Sequence, residues 1–108
     1  MNLDEAVLAV AQGNAEALKP IYDEFRVSVY SLALAILKNQ PEAEDVLQET
    51  FIRVYEKAAS YQSGTNLKAW ISSIARNLAY DVLRRKRTKQ TEPLKEEIVN
   101  RENDQTVL

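Results

Sequence analysis

ISSIARNLAYDVLRRKR (residues 71–87) decides how this chain is read, because its apolar residues return every three or four positions. At about 100° per residue, Leu67, Ile71, Ile74, Ala75, Leu78 and Val82 fall within one arc, the pattern of a helix with one face in a core. Ser73, Asn77, Tyr80 and Arg84 share a different arc, with Trp70 and Asp81 on its border nearer the core and Arg76 and Arg87 flanking its other side. An amide, an aromatic ring and cations therefore occupy one outward stripe. Single-stranded nucleic acid requires that inventory: rings stack on bases, amides read base edges and arginines hold phosphates. Plainer readings exist for each part. Basic residues in a last helical turn complement the dipole, a lone Tyr or Trp packs in a core, and a charge run is solvated. Four consecutive cations, Arg84 to Arg87, exceed what a dipole needs.

The rest of the composition sharpens that contrast. The chain has 108 residues and a net charge of −2, which argues against a general nucleic-acid coat protein. Yet between residues 68 and 89 stand Lys68, Arg76, Arg84, Arg85, Lys86, Arg87 and Lys89 against Asp81 alone, a local balance of +6 that leaves −8 for the remainder. Such segregation suggests two surfaces for two partners. The length predicts one domain. With no cysteine and no histidine, disulfides, thiolate nucleophiles, imidazole bases and the usual zinc sites are excluded from the protein's own side chains. The longest strongly apolar run, Val29 to Leu37, is interrupted by Ser31 and falls far short of the roughly 20 residues a membrane span needs. The start, MNLDEAVLAVAQG, is acidic rather than basic, unlike a secretory signal. A cytoplasmic protein without membrane insertion is expected.

Two glycines, three prolines and apolar spacing that is helical rather than alternating predict an all-α chain, a compact bundle of about four helices. The first runs from about Leu3 to Gln12, with Asn2 and Glu5 in capping-box spacing and Leu3, Ala6, Val7, Val10 and Ala11 on one face; Gly13 ends it. Asn14 is placed to cap a second helix, with the stripe Leu18, Ile21, Phe25, Val29, Leu32 and Ile36 and an end near Asn39. Pro20 inside that pattern predicts a kink or break. Gln40-Pro41 restarts the chain, followed by Glu42, Glu44 and Asp45, which suit a helix start. This third helix is expected to reach about Ser60 and to bury Ala43, Val46, Leu47, Thr50, Phe51, Val54 and Ala58. YQSGTN (61–66) reads as a tight loop, with Thr65 or Asn66 capping a fourth helix from Leu67 to about Arg87. From Thr88 onward a polar linker or tail is expected, with a helical turn at Leu94–Val99.

The third helix also has a second face, on which Asp45, Gln48, Glu49, Ile52 and Glu56 recur at i, i+3, i+4, i+7 and i+11. A solvated acidic flank accounts for most of it. Ile52, an apolar residue amid carboxylates and an amide, fits instead a docking stripe for a basic helix, with charge steering and apolar contact anchoring. Asp45 and Glu49 on one helix face are a weak start for a metal site, because neither histidine nor further carboxylates join them.

AEDVLQETFIRVYEKA (43–58), the short loop and WISSIARNLAYDVLRRKR (70–87) together resemble the second conserved region of bacterial sigma-70 family factors, particularly the extracytoplasmic-function group. The carrying motifs are E-D-x-x-Q-E-x-F, W-x-x-x-I-A-x-N and D-x-x-R-R. The resemblance covers most of residues 4–87; residues 1–87 are expected to form one region 2-like domain, and 88–108 a linker or tail that begins the connection to a second, helix-turn-helix domain that nothing here resembles. It implies that Asp45, Gln48, Glu49, Ile52 and Glu56 dock on the clamp helices of the largest subunit of core RNA polymerase. It also implies that the fourth helix and the loop before it capture the non-template strand of the melted promoter −10 element, through Tyr61, Ser63, Trp70, Ser73, Arg76, Asn77, Tyr80, Arg84, Arg85 and Arg87. Asn77 matches a position lining the pocket for a flipped-out base, and Arg84 and Arg85 match the basic end facing DNA. For Asp81 an ion pair with Arg84 or Arg85 and a DNA contact both fit. Pro20 departs from a helix the family keeps continuous. An anti-sigma protein is an implied partner, no cofactor is implied and no catalytic centre is expected. The alternative is a small helical regulator that binds duplex DNA through a recognition helix.

Overall fold

A computed structural model describes residues 2–91, with side chains as far as Thr88. Its elements are α1 (Leu3–Ala11), a 3-10 turn (Ala15–Ala17), α2 (Leu18–Leu37), α3 (Gln40–Lys57), a second 3-10 turn (Ala58–Ser60) and α4 (Leu67–Thr91). Among the described residues there is no strand, and the all-α expectation holds.

Three of the four helices start on an asparagine whose side chain replaces the missing carbonyl partner of a first-turn N–H. Asn2 Oδ1 accepts from Glu5 N at 2.8 Å and Glu5 Oε1 accepts from Asn2 N at 3.0 Å, completing the capping box. Asn39 Oδ1 accepts from Glu42 N at 2.9 Å, and Asn66 Oδ1 accepts from Ala69 N at 3.0 Å. The exception is Asn14. Its side chain makes no cap bond, and only its backbone carbonyl accepts, from Ala17 N at 3.1 Å.

The break expected around Pro20 falls ahead of the proline, in the 3-10 turn, and α2 then runs as a single helix from Leu18 to Leu37. Pro20 is its third residue and is exposed; in a first turn the lost N–H has no intrahelical acceptor to miss. Lys38, at φ 54°, closes α2 in the left-handed conformation with its N–H on Leu34 O at 2.7 Å. Only Lys38 and Asn39 separate α2 from α3. α4 continues to Thr91, beyond the expected end near Arg87; the turn expected at Leu94–Val99 lies outside the described residues.

The packing differs from the expected stripes in one systematic way. On α2 the buried residues are Ile21, Phe25, Val29, Ala33 and Leu37, while Leu32 and Ile36 are half-buried. On α4 they are Leu67, Ile71, Ala75 and Ala79, with Ile74, Leu78 and Val82 half-buried. Both series advance by four, the ridge that runs obliquely across a helix and packs into a neighbour's groove. α2 packs against both α3 and α4, and α3 against α4. Alanines on these ridges let the backbones approach: Ala33, Ala75 and Ala79, and Ala43 of α3, are all fully buried. On α1, Ala6, Val7 and Val10 are buried, but Ala11, placed on the apolar face by the sequence, is exposed. The α3 stripe holds, with Leu47 half-buried. Tyr22 meets Phe51 edge to face, ring centroids 5.0 Å apart, inside the larger of two core clusters. The smaller joins Ala33, Leu37, Ala43, Val46 and Ala79 at the far end of the bundle.

Candidate functional site

Because α3 buries Ala43, Val46, Thr50, Phe51 and Val54, its opposite side must face outward. Asp45, Gln48 and Glu56 are exposed there, and Ile52 is 48% exposed. Glu49 is half-buried, and its carboxylate accepts from Arg53 Nε at 2.9 Å, so its charge is already partnered. The stripe expected from the sequence is assembled as one surface. Tyr55, 47% exposed, extends it. It lies three residues from Ile52, on the Gln48 side, and doubles the apolar content of the stripe; the i+3 spacing could have revealed it. Thr50, fully buried on the other side, hides its hydroxyl by donating to Val46 O at 2.7 Å.

On α4 the core ridge Leu67–Ile71–Ala75–Ala79 leaves Asn77 exposed and Tyr80 44% exposed on the outward side. Arg76, Arg84, Arg85 and Arg87 are exposed as well. Ser73 is half-buried and donates to Trp70 O at 2.7 Å, so toward a ligand its hydroxyl is free only to accept. Asp81 pairs with Arg84, the ion pair within the helix that was one of its two expected readings. Lys86 reaches across to α3 and donates to Glu42 at 2.9 Å. A groove between the two helices brings Asp45, Glu49 and Arg53 of α3 beside Asp81 and Arg85 of α4, so the acidic stripe and the basic end meet along one seam. Among the described residues no group of three or more carboxylates is placed to hold a metal ion.

The loop before α4 is more constrained than its composition suggests. Tyr61 is half-buried, its ring 5.1 Å from that of Trp70, and its hydroxyl donates to Asp4 Oδ1 at 2.8 Å. Gly64, at φ +86°, donates its N–H to the other oxygen, Asp4 Oδ2, at 2.8 Å. Thr65 Oγ1 donates to Gln62 O at 2.6 Å. Ser63 is exposed, between the two points that Asp4 holds. Burial raises the Tyr61 phenol above its usual range, and the hydrogen bond to Asp4 and its negative charge add to the rise while Thr65 opposes it. Trp70 and Tyr61 thus pack mainly against each other and the core, whereas Asn77, Tyr80, Arg76, Arg84, Arg85 and Arg87 are exposed. Asp4 escaped the sequence reading, since no local pattern connects residues 57 and 60 positions apart.

The family described as Sigma-70 region 2 matches residues 21–89. The chain is 33% identical over 87 residues to the ECF RNA polymerase sigma factor SigW of Bacillus subtilis, covering 81% of this chain and 46% of that protein. To the ECF RNA polymerase sigma factor SigE of Mycolicibacterium smegmatis it is 40% identical over 86 residues, covering 76% of this chain and 33% of that one. It therefore spans less than half the length of these relatives. Among solved structures, an engineered region 2 of sigmaE in complex with GTAAAA shares the fold, with a TM-score of 0.75 at 24% identity over 82% of this chain and 93% of the other.

Proposed function

The chain belongs to the sigma-70 family as an extracytoplasmic-function region 2 domain, and from that premise we propose that it binds core RNA polymerase through α3 and captures the melted non-template strand of the −10 element along α4. One observation carries the proposal: two adjacent helices turn chemically distinct faces to solvent, Asp45, Gln48, Glu49, Ile52 and Glu56 on one, Asn77, Tyr80, Arg84 and Arg85 on the other. The acidic stripe steers a basic helix of the polymerase clamp, and Ile52 with Tyr55 anchors it once water is excluded. Along α4, extruding a base from the duplex costs a few kcal/mol. Stacking on an aromatic ring such as Tyr80 returns about 1–3 kcal/mol per base, and Asn77 adjoins that ring at i−3 to read a base edge. Arg84, Arg85, Arg76 and Arg87 position the strand through its phosphates without reading it.

The chemistry is binding rather than turnover, and the domain works where polymerase does, in the cytoplasm. Both faces are open enough for an anti-sigma protein to cover. The net charge of −2 repels duplex DNA, so the isolated chain binds it weakly and acquires strand affinity on the polymerase.

Fluorescence anisotropy tests this with labelled oligonucleotides spanning a −10 region, as non-template strand and as duplex, with and without core polymerase. Strand binding that requires polymerase and falls on Asn77→Ala or Tyr80→Ala is expected. Tight duplex binding by the chain alone at physiological salt contradicts the proposal and favours the duplex-reading regulator.

A further inference from the structure

Asp4 lies at the opposite end of the domain sequence from α4, outside residues 21–89, yet both of its carboxylate oxygens are engaged by the loop that precedes α4. Tyr61 donates to one and the Gly64 amide to the other, each at 2.8 Å. Its own helix does not need them: Asn2 and Glu5 already complete the cap of α1. The first turn of a helix also favours an anion, and a carboxylate accepts the stronger, charge-assisted type of hydrogen bond. The segment it grips would otherwise be loose. Gln62, Ser63, Gly64, Thr65 and Asn66 are all exposed, and Gly64 sits at a positive φ with nothing within 4 Å of where a Cβ would be, so packing does not fix it. The two bonds to Asp4 do, together with the Thr65–Gln62 turn.

We propose that Asp4 is a positioning residue for strand capture: by holding Tyr61 and Gly64 it presets Ser63 and its neighbours in the shape that receives an unstacked base, so that α1 shapes base selectivity without touching DNA. The inference rests on the strand-capture reading above. Preorganisation of this kind acts by removing the ordering cost a mobile loop would meet on binding. Releasing it therefore weakens the strand complex and flattens its preference among bases, while the α3 face, none of whose residues bonds Asp4, keeps its partner.

The test compares the wild-type chain with Asp4→Ala, the isosteric Asp4→Asn, Tyr61→Phe and, as control, Asn77→Ala. Hydrogen exchange at the Gly64 amide is measured on the chain alone. Binding of a single-stranded hexamer pool, randomised at every position, is measured on the chain loaded on core polymerase, and the bound sequences are read. Expected for Asp4→Ala are Gly64 exchange faster by about tenfold or more and strand affinity lower by about tenfold, as for loss of one charge-assisted bond. A narrowed spread of base preferences and unchanged polymerase affinity should accompany them. Asp4→Asn, which keeps one acceptor oxygen, should fall between, and Tyr61→Phe should add little to Asp4→Ala because they share one contact. Unchanged Gly64 exchange overturns the clamp. Faster exchange with unaltered affinity and base preference, while Asn77→Ala weakens binding, overturns the positioning role alone. If neither Asn77→Ala nor Asp4→Ala affects strand binding, strand capture itself fails and the inference falls with it.

Discussion

Lys86 of α4 donates to Glu42 of α3 at 2.9 Å, bridging the two helices that carry the candidate faces. Lys19–Asp23, Arg53–Glu49 and Arg84–Asp81 each pair within one helix. The cationic run at residues 84–87 is therefore not uniform: Lys86 turns back toward the body and its charge is partnered, whereas Arg85 is exposed beside the interhelical groove.

Lys86→Ala should thus cost strand affinity less than Arg85→Ala does. In a salt titration, Arg85→Ala is expected to reduce the slope by about 0.7, the value for one phosphate contact with a single strand; Lys86→Ala should leave it near the wild-type value. For stability, loss of the partly exposed Lys86–Glu42 pair should cost no more than about 1 kcal/mol in urea unfolding.

Ala79 is fully buried in the smaller core cluster, where the oblique ridges of the helices pass close to one another. Ala79→Leu forces the helices apart and should lower unfolding free energy by about 1–3 kcal/mol. Because the change leaves both outward faces chemically intact, polymerase affinity measured well below the melting temperature should persist. Stability equal to wild type would mean that the helices do not approach closely there.

The alanines also mark where the sequence was less legible. Helical spacing predicts all four helices and the α3 stripe, and local cap signals predict Asn2 and, as one of two candidates, Asn66; Asn39 is not among the expected caps, and Asn14, which is, makes no side-chain cap bond. The buried ridges of α2 and α4 were assigned one position off in places, since large residues such as Leu32, Ile36 and Leu78 look more hydrophobic than Ala33 or Ala79. Depth depends on how closely neighbouring backbones approach, which only packing reveals. The outward faces survived that error. Asp45, Gln48, Ile52, Asn77 and Tyr80 are polar or isolated among polar residues, and a shift of the core ridge leaves them outside. Asp4 and the Lys86–Glu42 bridge join residues dozens of positions apart, and neither has a periodic signature.

Asn39 caps α3 at the two-residue junction with α2 through its bond from Glu42 N. Asn39→Ala should cost about 1 kcal/mol, read as a lower midpoint in chemical denaturation with an unchanged slope. The same substitution at Asn14, whose side chain makes no cap bond, should have a smaller effect; equal losses at the two sites would contradict the assignment.

Tyr61 predicts an alkaline signature. Its phenol is raised above the ordinary 10.0, first by burial and then by its bond to Asp4, against the opposing effect of Thr65. A group whose folded pKa exceeds its unfolded one stabilises the fold below the unfolded pKa, and that contribution disappears as pH climbs through the folded value. Tyrosinate absorbance, taken as wild type minus Tyr61→Phe, should show Tyr61 ionising above 10.0 and moving back toward it in Asp4→Ala. An identical titration in both backgrounds would show that Asp4 does not contact the hydroxyl.

The separation of the two faces is tested most directly by a crossed binding measurement, in which polymerase retention and bound non-template strand are recorded on the same complexes. One arm carries Asp45→Lys with Glu49→Lys, or Ile52→Glu; the other carries Asn77→Ala with Tyr80→Ala. The result expected is that the α3 variants lose polymerase, while the α4 variants hold polymerase as tightly as wild type and release the strand. Retention of polymerase by the charge-reversed α3 face, or undiminished strand binding without Asn77 and Tyr80, would contradict the assignment of one partner to each helix.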